Sequence, residues 1–208
     1  MEIMKVIVFS CDKYSWLMPT FLHFYRKNWP DNPYETELVT ETIKVKDVNT
    51  FCVGKLPWAD RAIKYLESFD EETFLLLLED YIINETVNTS RMKVAESLCD
   101  GDIGCVQLNP HNRLSHFLLD TKIEGFNEYP LDKPYSVSLR SSIWQREFFL
   151  EVLKKGETAW QTEVNGSKRI RQASKRIIWA DTPIISYSGY MGKGAILKSA
   201  EQWVKENW

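Results

Sequence analysis

No apolar run in this 208-residue sequence approaches the roughly 18 residues that cross a bilayer, so no membrane-spanning helix is expected. Nor does Met1–Ser10 carry a basic stretch followed by a long apolar core, so it does not read as a signal peptide, and the cytoplasm is the expected compartment. Cysteine is scarce: Cys11, Cys52, Cys99 and Cys105 form no Cys-x-x-Cys pair and no zinc spacing, which leaves free thiols as their reading. Histidine is scarcer. His111 and His116 lie five apart on an expected loop and make no zinc pair, and imidazole suits softer ions than Mg²⁺. Neither charge dominates: 26 Lys plus Arg stand against 29 Asp plus Glu, a net −3. That argues against a chain basic all over, as a general nucleic-acid binder is. The one glycine-rich stretch, Gly189-Tyr190-Met191-Gly192-Lys193-Gly194, fails the Walker spacing, so a P-loop NTPase is excluded. Internal repeats, low-complexity segments and long linkers are also missing.

What is present is globular. Hydrophobic residues make up 44%, with 10 Phe, 8 Trp and 9 Tyr, enough for a substantial core in one domain over 1–208. Ile3–Ser10 reads as a buried strand that ends in the polar cluster Ser10-Cys11-Asp12. Helices are expected over Ser15–Trp29, from Pro57, over Thr89–Cys99, and over Ile143–Lys154 behind a Ser141 or Ser142 cap. A last helix is expected over Ala195–Trp208. Short strands are expected at Tyr34–Thr40, Ile43–Val48, Ile103–Leu108 and Tyr135–Leu139. Thr73–Leu78, TFLLLL, is the most apolar stretch and reads as a central strand buried on both faces. Alternation of strand and helix in the first half predicts an α/β fold: a mainly parallel central sheet with helices on both faces.

The apolar strand ends abruptly in Glu79-Asp80-Tyr81. Ligands of open α/β sheets bind outside the carboxyl ends of the strands. Two adjacent carboxylates there need a neutralising partner, and a divalent ion that also carries phosphates supplies one. Neighbouring side chains on an extended chain point opposite ways, which favours Asp80 as the metal ligand and Glu79 in support.

These segments together resemble the nucleotide-sugar glycosyltransferases of the GT-A fold, particularly the small bacterial and phage polysaccharide type. The resemblance rests on the first strand with its polar loop, WADRAIKYL, LLLLEDYII, YSVSLRSSIWQREFFLEVL and ETAWQTEVNGS, and runs from about Lys5 to Lys193. It implies a Rossmann-like donor half, 1–110, and an acceptor half, 111–208. It also implies Mn²⁺ or Mg²⁺ on the donor diphosphate, held by an acidic motif that is usually Asp-x-Asp. Here Tyr81 stands where the second Asp would be. The resemblance further places Ser10, Cys11 and Asp12 against the nucleotide base and ribose, and Arg61 against the base or the diphosphate. Tyr14 is a candidate for stacking on the base.

Transfer needs a general base for the acceptor hydroxyl. Glu163 in Trp160-Gln161-Thr162-Glu163 is the candidate, because a carboxylate beside an aromatic wall has its pKa raised toward a useful value. Trp160 would be a platform for a sugar or base face. Asp181, after IIWA and before Thr182-Pro183, is the reserve base. Arg140 and Trp144 flank the expected helix start and are candidate acceptor contacts, while Lys193 is a candidate to neutralise the leaving nucleotide. Inversion is the expected outcome. The acceptor classes left open are a glycan, a lipid-linked sugar and a hydroxylated nucleic-acid base.

Two other readings stand beside this one. A degenerate transferase fold would bind a sugar or nucleotide without turnover. A nucleotidyltransferase would be expected to carry a glycine-rich loop near the N-terminus, and SCDKYSW contains no glycine. The charge is also divided. Residues 1–165 carry 18 basic and 26 acidic side chains, whereas residues 166–208 carry 8 and 3. Lys168, Arg169, Arg171, Lys175 and Arg176 run without an acid between them. They read either as a solvated helix face or as a site for a phosphate-bearing acceptor.

Overall fold

The computed structural model describes residues 4–68, 70–111, 113–192 and 194–208. The apolar N-terminal stretch forms β1 (Lys5–Phe9). A 3-10 segment, Asp12–Leu17, leads into α1 (Met18–Asn28), with Pro19 in the first turn, where a missing N–H costs least. Next come β2 (Thr36–Thr40), β3 (Asn49–Cys52), α2 (Trp58–Leu66) and β4 (Thr73–Leu78). β5 (Tyr81–Ile83) follows at once, then α3 (Thr89–Leu98), capped by the Asn88 side chain, and β6 (Ile103–Gln107). The remaining strands are β7 (Leu119–Asp120), β8 (Phe126–Glu128) and β9 (Ser142–Gln145), followed by helices α4 (Arg146–Val152) and α5 (Ala159–Arg169). The chain ends with β10 (Arg176–Ala180), β11 (Tyr187–Gly189), β12 (Met191–Gly192), β13 (Ala195–Ile196) and α6 (Lys198–Asn207).

The main sheet has nine strands in the order β3-β2-β1-β4-β9-β6-β10-β8-β7. β3, β2, β1 and β4 are mutually parallel, as are β6 and β10. β9 runs antiparallel to both β4 and β6, so those six strands share one direction. The expected mainly parallel α/β sheet is therefore what forms. Its carboxyl edge collects the ends of β1, β4, β6 and β10 together with the start of β9.

Side chains alternate along the central strands and build a core on each face. On β4, Leu75 and Leu77 pack with α1, α3 and α6, whereas Phe74 and Leu76 pack with α2 and α4. Full burial of such a side chain is worth about 1.5–3 kcal/mol. TFLLLL is thus central because both faces of the sheet need it apolar. All four cysteines are free thiols.

Several expected elements differ. Ile43–Val48 forms no strand; pairing with β2 begins only at Asn49. Tyr135–Leu139 forms no strand: it begins in a turn, with Tyr135 at a positive φ of 57°, and continues through bends without pairing. The expected helix from Ile143 begins only at Arg146, because Ser142–Gln145 is inserted as β9 between β4 and β6. The C-terminal helix likewise starts at Lys198, after a small hairpin.

Candidate active site

Leu78 ends β4, and the chain turns directly into β5, which leaves Glu79 and Asp80 at the carboxyl edge beside Ser10 at the end of β1. β5 pairs antiparallel with β11, and the Tyr190 amide donates to the Asp80 carbonyl at 2.7 Å. The acidic pair is thus clamped between the sheet and the glycine-rich stretch. Glu79 is buried, and desolvation with the neighbouring Asp80 charge pushes its carboxyl up to about 8, against the pull of Arg61 and the Ser10 hydroxyl. Burial raises Asp80 to about 6.

Arg61 and the Ser10 hydroxyl offset the charge of this carboxylate pair only in part, since both pKa values remain raised. Mg²⁺ or Mn²⁺ bound mainly through substrate phosphates needs only one or two protein carboxylates, so the donor set fits such an ion. Among the described residues no group of three His, Cys, Asp or Glu is placed to hold a metal unaided.

The raised Glu79 pKa makes a prediction about stability. Its usual value is 4.5 and its folded value about 8, so the folded protein holds this proton more tightly than the unfolded chain. The stabilisation is complete below about pH 4.5 and is lost as pH rises through about 8. Each pKa unit is worth about 1.4 kcal/mol. In cation-free buffer Tm should fall across that interval, and Glu79→Gln should remove most of the fall. Parallel Tm–pH curves for the two proteins would contradict it.

The second half supplies the opposite wall. α5 starts at a capping box, in which the Thr158 hydroxyl accepts from the Gln161 amide and the Gln161 side chain accepts from the Thr158 amide. One turn into the helix stands Glu163, with Trp160 on the same face at i−3, 64% exposed. Gly166 lets α5 approach closely: a Cβ there would meet Val152 Cγ1 at 2.9 Å and its carbonyl at 3.2 Å. Glu163 Oε1 accepts from the Leu139 amide at 2.8 Å and the Ser138 hydroxyl at 3.3 Å. Burial raises the Glu163 pKa, opposed by these two bonds and by Arg140.

Arg140 lies between the walls. Its Nη1 donates to the Asn109 carbonyl at 2.9 Å, its Nε to Ser138 Oγ at 3.2 Å, and its plane sits over Trp179 at 4.8 Å. Nη2 is buried, and the Tyr187 hydroxyl lies within reach of the guanidinium. The Tyr81 and Tyr187 rings stack at 4.3 Å. Both hydroxyls lie in the fields of Asp80, Glu163 and Arg140, and burial pushes both pKa values up. One cluster therefore contains Asp80, Tyr81, Arg140, Glu163 and Tyr187. The tyrosine pair was not anticipated from sequence, and the pairing of β5 with β11 that creates it leaves no local signature.

No family model matches the sequence, and no curated protein matches it either. Solved structures do. S. aureus TarS is 14% identical with a TM-score of 0.56, over 89% of this chain and 59% of that one. The mannosyltransferase PcManGT from Pyrobaculum calidifontis, solved with GDP-Man and Mn²⁺, is 13% identical with a TM-score of 0.60, over 92% and 58%. A CMP:2-keto-3-deoxy-manno-octonic acid synthetase complexed with CTP is 11% identical with a TM-score of 0.60, over 99% and 98%.

The chain has a GT-A-like fold. It spans about three-fifths of the first two structures and nearly all of the third.

Within the GT-A-like sheet, several expected site residues take other places. Trp144 is fully buried on β9, packs against Phe148 and Phe149, and donates to Ser142 Oγ at 2.8 Å. It is a core residue and offers no face to an acceptor. Asp12 is used first by the fold: its carboxylate accepts from the Thr42 and Ile43 amides at 3.0 and 3.1 Å and from the Thr42 hydroxyl. Those bonds hold its pKa down.

Arg61 is buried, and its Nη1 donates to the Ser10 carbonyl, so it props the β1 loop from beneath. Cys11 is half-buried beside that loop, and burial and Glu79 raise its thiol pKa. Tyr14 is partly buried against the core. Asp181 is paired with Arg91 at 2.9 Å, which occupies the reserve base. His111 Nδ1 accepts from the Arg113 amide, and His116 lies against Phe117. Lys193 lies outside the described residues.

The basic run is largely used internally. Arg169 bonds Glu157 and the Val152 carbonyl, Lys175 the Gly101 carbonyl, and Arg176 both Glu128 and Asp102. Only Lys168 and Arg171 of the five are exposed, so a five-charge phosphate patch does not form. No described helix is long and apolar enough to cross a membrane.

Proposed function

We propose that this chain is a glycosyltransferase that moves a sugar from a nucleotide-sugar donor to an acceptor hydroxyl, with inversion. The observation that carries this reading is that Asp80, of the strand-end pair Glu79-Asp80, and a separate carboxylate on α5, Glu163, both act on the stacked Tyr81 and Tyr187. The fold is shared with a mannosyltransferase solved with GDP-Man and Mn²⁺, which supports a sugar nucleotide and a divalent ion as ligands. Asp80, backed by Glu79, would hold Mn²⁺ or Mg²⁺. When bound, such an ion offsets the charge that develops on the departing diphosphate.

The residues have separable tasks. Glu163 takes the proton from the acceptor hydroxyl as that oxygen attacks the anomeric carbon. Arg140 supplies a fixed positive charge beside Glu163 and Tyr187. Trp160 provides an apolar platform on the acceptor side. Spending most of the basic run inside the fold favours a glycan acceptor over nucleic acid or an anionic lipid carrier.

The test is a thermal-shift screen of UDP-, GDP-, CMP- and dTDP-linked sugars with and without Mn²⁺. A ligand at 100 times its Kd adds about 2.7 kcal/mol. One donor class should raise Tm in a metal-dependent way. A second reading, a nucleotidyltransferase, is favoured by the match over 98% of a CTP-complexed synthetase. It predicts that a nucleoside triphosphate, rather than a nucleotide sugar, gives the larger shift, with pyrophosphate released on adding a sugar.

A further inference from the structure

We infer that Ser138 is a positioning residue for Glu163: it and the Leu139 amide fix Oε1, leaving Oε2 as the oxygen that takes the acceptor proton. The inference rests on the reading of Glu163 as the base.

The direction of the Ser138 hydroxyl follows from donor chemistry. An arginine only donates, so the 3.2 Å contact from Arg140 Nε makes Ser138 Oγ the acceptor there. The hydroxyl has one proton of its own. Its other polar side-chain contact is Glu163 Oε1, at 3.3 Å, so that proton points to the carboxylate. Leu139 N donates to the same oxygen at 2.8 Å. A carboxylate oxygen that already accepts two bonds is the poorer base, and the proton goes to its twin.

The supports of Ser138 are rigid. The residue is 6% exposed. Its carbonyl accepts from Gln107 Nε2 at 2.9 Å, which ties it to the end of β6. Arg140 is itself fixed by the Asn109 carbonyl and by Trp179 of β10. The Val137 amide donates to Ser167 Oγ at 3.0 Å, docking the same segment one turn further along α5. Two central strands thus set the orientation of a carboxylate carried by a helix. The charged and titratable groups that act with Glu163 are Arg140, Tyr81 of β5 and Tyr187 of β11.

The experiment is a ¹³C-carboxyl NMR titration of the intact protein, with the Glu163 signal assigned by its loss in Glu163→Gln. It is paired with the pH profile of sugar transfer or donor hydrolysis. Ser138→Ala removes one bond to the ionised carboxylate, so the Glu163 pKa should rise by about 0.5–1 unit, and the acid limb of kcat should move with it. Donor KM should stay unchanged. Ser138→Thr, which keeps the hydroxyl, should restore both values, and Ser138→Cys, of similar volume with a weak donor, should behave like Ala. A Glu163 titration identical in wild type, Ala and Cys variants would overturn the inference. If Glu163→Gln keeps normal turnover, the base reading fails instead. In that case the NMR shift still decides whether Ser138 holds the carboxylate.

Discussion

Asp80→Asn should abolish metal-dependent transfer, lowering kcat/KM by about three orders of magnitude, while leaving the fold intact. The size follows from what the carboxylate does: a divalent ion at a leaving diphosphate is worth several kcal/mol, and each 1.36 kcal/mol is tenfold in rate. The fold is spared because the structural bond at this residue belongs to the backbone, from the Tyr190 amide to the Asp80 carbonyl, and Asn preserves it. Asn also removes a buried charge that the folded protein disfavours, since burial holds Asp80 near 6. The Tm without metal should therefore be unchanged or higher, and the Mn²⁺-induced shift with donor should vanish. Full activity of the variant, or an undiminished Mn²⁺ shift, would take Asp80 out of the site.

The parts legible in the sequence were those fixed by local chemistry. Thr73–Leu78 reads as a buried central strand because apolar side chains on both faces leave no other place for it. The acidic pair reads as a site because it follows that strand directly. Ser141–Phe149 misled for the opposite reason: serines before an apolar, helix-compatible run look like a cap. In the fold, Ile143 and Trp144 face opposite cores, which is the period of a strand inserted between β4 and β6. Asp12 shows the same ambiguity, since a carboxylate after a strand suits a ligand or a turn, and here the turn at Thr42 and Ile43 takes it. The basic run misled because its partners, Glu157, Glu128 and Asp102, stand 12, 48 and 74 positions away in sequence. The Tyr81–Tyr187 stack and the supports of Glu163 are tertiary products of strand order, which short motifs do not encode.

Glu163→Gln should cut the rate of transfer by roughly two to four orders of magnitude at saturating donor, with donor affinity little changed. Gln has the same shape, and its amide oxygen can still accept from the Leu139 amide and the Ser138 hydroxyl, so the packing of α5 on the 137–139 segment survives. What is lost is only the capacity to hold a proton. Burial raises the pKa of this carboxylate, against the pull of the two bonds and of Arg140, which makes it a stronger base than an exposed glutamate. The acid limb of the wild-type profile should follow its titration, and Gln should flatten that limb along with the rate. Asp181 provides the contrast. Its carboxylate is taken up by Arg91, so Asp181→Asn should leave the rate within a few-fold of wild type. A large loss in Asp181→Asn together with near-normal turnover in Glu163→Gln would reverse the two assignments. The charge that matters would then lie at the end of β10 rather than on α5.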